Sequence, residues 1–139
     1  MKGFKTNLVV IITCAFLQSA CGGKETENQL PSDVTPPRVI NTTPVDQASG
    51  ISRNAQIIVT FNEAIDESSI SSSTFEVSDS SGNNIAGRYI FDENQNSISF
   101  TPTTLLNAFS SYTVTLNGGI TDTSGNALQP NYSLQFFTR

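Results

Sequence analysis

Few side chains in this 139-residue chain are equipped for chemistry. It contains no His, so neither a His-based nucleophilic triad nor a His-containing metal cluster can be assembled. Glu63 and Asp66 stand close enough in sequence to imitate a general acid–base pair of carboxylates. Glu63 falls at the end of an apolar alternation and Asp66 where a following turn needs a cap, and those structural roles account for both. No Gly-rich loop leads into a helix, which removes the usual phosphate cradle. The absence of Trp weakens a sugar-stacking platform. In Asp122-Thr123-Ser124-Gly125-Asn126 the Asp and Asn side chains can satisfy loop backbone groups while Gly125 makes the turn.

The elements that would position these residues are strands. In Ala55–Ile65, Ile57, Val59 and Phe61 alternate with Ile58, Thr60 and Asn62, a period of two that suits a central strand. Further strands are predicted over Arg38–Thr43, with Val39 and Ile40 available to a core, and over Thr74–Ser78, with Phe75 and Val77 on one face. Ile85–Phe91 and Ser97–Thr101 read as a hairpin around the polar turn Asp92–Asn96. Ser111–Asn117 and Asn131–Arg139 complete the set, with Tyr112, Val114 and Leu116 in phase, then Tyr132, Leu134 and Phe136. Pro44–Ser52 reads as a turn, Asp66–Ile70 as one helical turn capped by Asp66, and Asp79–Asn84 as a turn needing a positive φ at Gly82. Leu105 and Leu106 are expected to fold under the end of the structure, and Gly118–Pro130 to form a loop. About seven short strands at this spacing predict an all-β sandwich of two antiparallel or mixed sheets. A domain of about 100 residues with this share of aromatic and β-branched residues can bury an adequate core without disulfides.

The N-terminus carries an address. Lys2 and Lys5 precede the apolar run Leu8–Leu17, which is too short to span a bilayer as a mature helix. The small residues Ser19 and Ala20 before Cys21 resemble the lipobox of bacterial lipoproteins, although Gln18 stands where that pattern prefers Leu. The resemblance implies cleavage before Cys21 and a diacylglycerol on its thiol, with Gly22 permitting outer-membrane placement. Residues 1–20 would be the signal peptide and residues 21–35 a disordered, flexible tether rich in polar residues and proline. Cys14 would leave with the signal peptide, so the mature chain could hold no internal disulfide. Loss of Lys2 and Lys5 would leave five basic against twelve acidic residues, a balance of −7. That surface argues against nucleic acid or anionic lipid as partners and favours solubility.

Several stretches coincide over residues 36–139: Pro36-Pro37-Arg38-Val39-Ile40, Pro44-Val45-Asp46, Ile57–Ile65, Ser99-Phe100-Thr101-Pro102, Tyr112-Thr113-Val114, Asp122–Leu128 and the terminal Phe136-Phe137-Thr138. Their order and spacing resemble the bacterial Ig-like domain of the S-layer type, without the Cys…Trp…Cys core of antibody-type domains. The resemblance implies an Ig-like sandwich on an exported or surface protein. It also implies a calcium site in which Asp33, ahead of the proline pair, joins Asp122 and Asn126 of the D-x-x-G-N loop, since hard cations prefer carboxylate and carbonyl oxygens. The expected function is a non-catalytic lipoprotein module at the cell envelope or surface, meeting an envelope protein or glycan. The alternative is a ligand-binding accessory domain for glycan or calcium.

Overall fold

The computed structural model describes residues 32–139; residues 1–20, expected to be a signal peptide, Cys21, and all but the last residues of the expected tether lie outside the described residues. Eight strands follow in chain order: β1 (Val39–Thr43), β2 (Ala48–Ile51), β3 (Ile57–Phe61), β4 (Phe75–Asp79), β5 (Gly87–Asp92), β6 (Ser97–Pro102), β7 (Ser111–Leu116) and β8 (Tyr132–Thr138). A single 3₁₀ turn, Glu67–Ser69, precedes β4, and the Asp66 side chain caps it by accepting from the Ser68 amide, as its sequence position predicts. The strands form two four-stranded sheets, ordered β1-β3-β6-β5 and β2-β8-β7-β4. Every pairing is antiparallel except β2 with β8, which is parallel.

The alternation along each strand places the core. Ile57, Val59 and Phe61 of β3 and Ile98 and Phe100 of β6 face Phe75 and Val77 of β4, Tyr112, Val114 and Leu116 of β7, and Leu134 and Phe136 of β8. Phe75 lies against Tyr89 and Phe100 with ring centroids 5.5 and 6.1 Å away, in tilted and offset arrangements that suit aromatic quadrupoles. The Tyr89 hydroxyl donates to the Phe75 carbonyl at 2.6 Å and so ties the two sheets together on the β5–β4 side. Gly87 opens β5 because a Cβ there would collide with the Phe100 ring. Val59 of β3 and Val114 of β7 are fully buried, on the two strands that an antibody domain joins by its disulfide.

Four expectations need correction. Ala48–Ile51, read as turn, is strand β2; it lacks apolar alternation and is held only through its parallel pairing at the edge of β8. Ile40 is 64% exposed rather than in the core. A bulge between Val39 and Asn41 sets two positions of β1 against one of β3, so Ile40 and Asn41 both turn outward. Leu106 is buried under the sandwich end, but its neighbour Leu105 is 62% exposed. The long loop before β8 is no mere connection, because Ile120 and Leu128 are fully buried in the core.

The strand register gives the sandwich two poles. The segment before β1, the β3–β4 and β5–β6 connections and the β7–β8 loop gather at one end, called here the N-terminal pole. The β6–β7 connection and the end of β8 lie at the other.

Candidate cation site at the N-terminal pole

Three elements converge at this pole. As the chain leaves β3, Asn62 ties it to the segment before β1: its Oδ1 accepts the Arg38 backbone N–H at 2.5 Å and its backbone N–H donates to the Arg38 carbonyl at 3.1 Å. Ile65 then bridges to Asp122, and the Asp66 amide donates to the Thr121 carbonyl at 2.9 Å, which fastens the β3–β4 connection to the β7–β8 loop. Gln129 donates to the Pro37 carbonyl at 3.2 Å and completes the triangle.

The β7–β8 loop is built around Asp122. Its Oδ1 accepts the amides of Ser124 and Asn126, each at 2.8 Å, and its Oδ2 accepts Asn126 Nδ2 at 2.8 Å. The backbone closes the same turn, Asp122 N–H to Asn126 carbonyl at 3.0 Å and Gly125 N–H to Asp122 carbonyl at 3.2 Å, with Gly125 at φ 89°. Asp122 is only 2% exposed. Burial would push its carboxyl up, but the hydrogen bonds from Asn126, Ser124 and Gly125 outweigh it and hold the group below the usual carboxylate value.

Asp33 and Asn126, separated by most of the domain in sequence, meet here: Asn126 Nδ2 also donates to the Asp33 carbonyl at 3.1 Å. Asp33 Oδ1 accepts the Thr35 amide at 2.9 Å, which turns its side chain back along the chain. One carboxylate oxygen from each of Asp33, Glu63 and Asp122 lies within 4.8 Å of the others. Two unit charges at about 4 Å repel by about 1 kcal/mol even in bulk water, so a cation placed among the three would relieve a real cost. Hard divalent ions take such oxygens. The Asn126 Nδ2 donates to the two acceptors around it, and Glu63 adds a third carboxylate oxygen beside those of Asp33 and Asp122. Sequence reasoning set Glu63 aside as the end of a strand; nothing in its spacing signals Asp33 or Asp122.

The chain contains its own comparison. Asp79-Ser80-Ser81-Gly82-Asn83 repeats the D-x-S-G-N pattern, and its hydrogen bonds match: Asp79 Oδ1 accepts Ser81 and Asn83 amides at 2.8 and 2.9 Å, and Asn83 Nδ2 reaches Asp79 Oδ2 at 3.0 Å. Gly82 sits at φ 79°, as expected for this turn. The Asn83 side chain, its amide and that of Ser81 hold the Asp79 carboxyl low as well. The loop is therefore a self-sufficient turn, and what distinguishes the Asp122 copy is the company of Asp33 and Glu63.

Two sheets ordered β1-β3-β6-β5 and β2-β8-β7-β4 are the constant-type immunoglobulin arrangement with its first strand divided between the sheets. Tyr112 near the start of β7, its hydroxyl bonded to the amide of Asn107 at 2.7 Å, supplies the tyrosine corner of that class. The sequence matches the bacterial Ig-like domain family over residues 33–138, and the chain belongs to it. No protein of curated function matches it in sequence. Among solved structures, the N-terminal part of the bacterial S-layer protein SbsC is similar at 19% identity and TM-score 0.56, over 76% of this chain and 24% of that one. PcoC, a methionine-rich copper resistance protein from Escherichia coli, is similar at 13% identity and TM-score 0.61, over 76% of this chain and all of that one. The L,D-transpeptidase from Mycobacterium smegmatis is similar at 20% identity and TM-score 0.53, over 75% of this chain and 40% of that one. These likenesses are of fold; the chain spans about a quarter of the S-layer fragment.

Proposed function

We propose that the protein is a non-catalytic interaction module of the bacterial envelope, held to a membrane by a diacylglycerol on Cys21 and spaced from it by residues 21–35. The observation that carries this reading is membership of the bacterial Ig-like family over residues 33–138, preceded by an apolar run and Ser19-Ala20-Cys21. The absence of His leaves no general base of the usual kind. Copper resistance, the role of one structural neighbour, is disfavoured because the chain has no His and its one Met is its first residue, so it lacks the imidazole and thioether ligands that copper takes. The test is fractionation and capture. The wild-type chain labels with fatty acid and sediments with membranes, whereas Cys21→Ser does neither. Retention of label by Cys21→Ser would end the anchor reading. Capture of an envelope protein favours the interaction module, and capture of glycan alone favours an accessory binding domain.

A second reading concerns the N-terminal pole. Asp33, Glu63 and Asp122 bind a calcium ion, completed by water, which fixes the exit of the tether against the sandwich. The convergence of three carboxylates from three separate elements supports it. With so few protein ligands, the affinity falls in the range of extracellular modules, about 10⁻⁴–10⁻³ M.

A further inference from the structure

Two open sheets have four edge strands, and three of them are guarded against further pairing. β1 carries the bulge between Val39 and Asn41, and β2 is four residues long with a shift of register between Ala48 and Ile51. β4 has its outward backbone groups taken. The Phe75 carbonyl accepts the Tyr89 hydroxyl, the Val77 carbonyl accepts the Ile85 amide at 2.7 Å, and the Asp79 amide donates to the Asn83 carbonyl at 3.0 Å. β5 has no such guard. It pairs with β6 along its whole length, Gly87 to Asp92, without a register shift, and it contains neither Pro nor Lys.

The phase of the ladder decides which β5 backbone groups are free. Thr103 N–H donates to the Ala86 carbonyl at 2.9 Å, and on the other flank of β6 Phe61 N–H donates to the Asn96 carbonyl at 2.9 Å, which fixes the same phase. Hydrogen-bonded pairs alternate along antiparallel strands, so Arg88, Ile90 and Asp92 turn their N–H and C=O groups to β6. Gly87, Tyr89 and Phe91 turn theirs outward, where no group among the described residues bonds them. On the outer face of the sheet Ile90 is 51% exposed, between the charges of Arg88 and Asp92. Asp92 is held there by the hairpin turn: its Oδ1 accepts the amides of Asn94 and Gln95 at 3.0 and 3.2 Å, and its Oδ2 accepts Gln95 Nε2 at 2.9 Å. Oδ2 keeps a lone pair for an incoming donor.

We propose that two copies of this chain join β5 to β5, antiparallel, about a two-fold axis through Ile90. The proposal rests on the interaction-module reading and names its partner, a second copy. In that register the free backbone groups of Tyr89 meet those of the partner's Phe91, and the reverse. Ile90 lies against the partner's Ile90, and Arg88 stands opposite the partner's Asp92. These last are non-hydrogen-bonded pairs, whose side chains approach most closely. A slip of two residues either way, the smallest that still lets the free groups meet, sets Ile90 against Arg88 or Asp92 and loses both ion pairs. Arg88-Tyr89-Ile90-Phe91-Asp92 is therefore complementary to its own reverse, and this selects a second copy over a foreign strand. The contact is isologous and closes at two copies. It is one strand pair wide, which places it among the weak interfaces that bury less than about 1,200 Å².

Sedimentation equilibrium tests this on Pro31–Arg139, a compact unit that carries the whole core and no Cys. Over about 10 µM to 1 mM, a range suited to so small a contact, the weight-average mass of the wild type rises with concentration and stops at the dimer. Ile90→Lys and Ile90→Glu each set like charges face to face across the axis. Each alone stays monomeric, with an unchanged melting midpoint in dilute solution because the position is half exposed. Their equimolar mixture restores a one-to-one dimer. The register is read by cross-linking in air. Ile90→Cys forms a disulfide-linked dimer, whereas Arg88→Cys, about 14 Å along the strands from its counterpart, does not. A wild type that stays monomeric, an Ile90→Lys variant that associates as the wild type does, a mixture that stays monomeric, or Arg88→Cys cross-linking as readily as Ile90→Cys would each overturn the proposal. Capture of a different envelope protein equally by wild type and Ile90→Lys would in those cases leave the interaction-module reading standing.

Discussion

The Tyr112 side chain reaches back along the chain, and its phenolic oxygen accepts the backbone amide of Asn107 at 2.7 Å. The ring is buried against Phe136 with centroids 5.6 Å apart, so the hydroxyl is positioned by the core and the connection is positioned by the hydroxyl. Tyr112→Phe keeps the ring and removes only the acceptor. It should cost about 1–2 kcal/mol, the penalty of an amide that loses its partner. Chemical denaturation gives the value, and a midpoint equal to wild type would mean that water replaces the bond at no cost.

Phe61 is buried on the inner face of β3, at the N-terminal pole. Phe61→Ala should cost about 3–5 kcal/mol through lost burial and the cavity left behind. A thermal midpoint within about a degree of wild type would show that the pole collapses around the gap; a shift of several degrees per kcal/mol is expected for a domain of this size.

Calcium discriminates among the carboxylates. If the ion binds Asp33, Glu63 and Asp122, the melting midpoint rises with calcium by mass action, by about 2.7 kcal/mol in stability at a hundred times Kd. Glu63→Gln should abolish most of that rise and cost little without calcium, because the bond its Oε1 accepts from Asn62 Nδ2 is exposed and a Gln oxygen can accept it too. Asp79→Asn should leave the rise intact, since its loop has the same hydrogen bonds but lies outside the trio. A wild-type midpoint unchanged up to about 100 mM calcium, roughly a hundred times the weakest expected Kd, would remove the site.

Acid should act through Asp79 and Asp122. Both carboxyls titrate below the ordinary 3.8 in the folded chain. Their contribution is therefore fully present above 3.8 and is lost as the pH falls through the lowered folded values. Stability should hold from neutral pH to about pH 5 and decline below about pH 4. Asp79→Asn should flatten part of that decline. A variant that loses stability in acid as steeply as wild type would show that other carboxyls carry the effect.

The strands that carry the core were legible because their inward residues repeat at a period of two: Phe75 with Val77, Ile98 with Phe100, and Tyr112 through Leu116. Ala48–Ile51 was not, since a four-residue edge strand paired only to β8 needs no apolar face of its own. Ile40 misled because a bulge shifts the phase within a single strand, and no residue type marks the shift. Asp33 could be joined to the Asp122 loop through family resemblance alone. Glu63 could not, because its approach depends on Ile65 pairing with Asp122 across the pole. The two D-x-S-G-N loops are indistinguishable as local sequence, and only the fold buries one of them.

The parallel pairing of β2 with β8 has a mechanical consequence. Both strands run away from the N-terminal pole, with Ala48 opposite Phe136 and Ile51 opposite Thr138. Tension applied between the residues ahead of β1 and Arg139 would drag β2 one way and β8 the other along their shared axis. Their hydrogen bonds would then be strained together, in shear, rather than opened one after another as in a peeled hairpin. The domain is thereby built to resist extension along the line joining its two ends more strongly than across it.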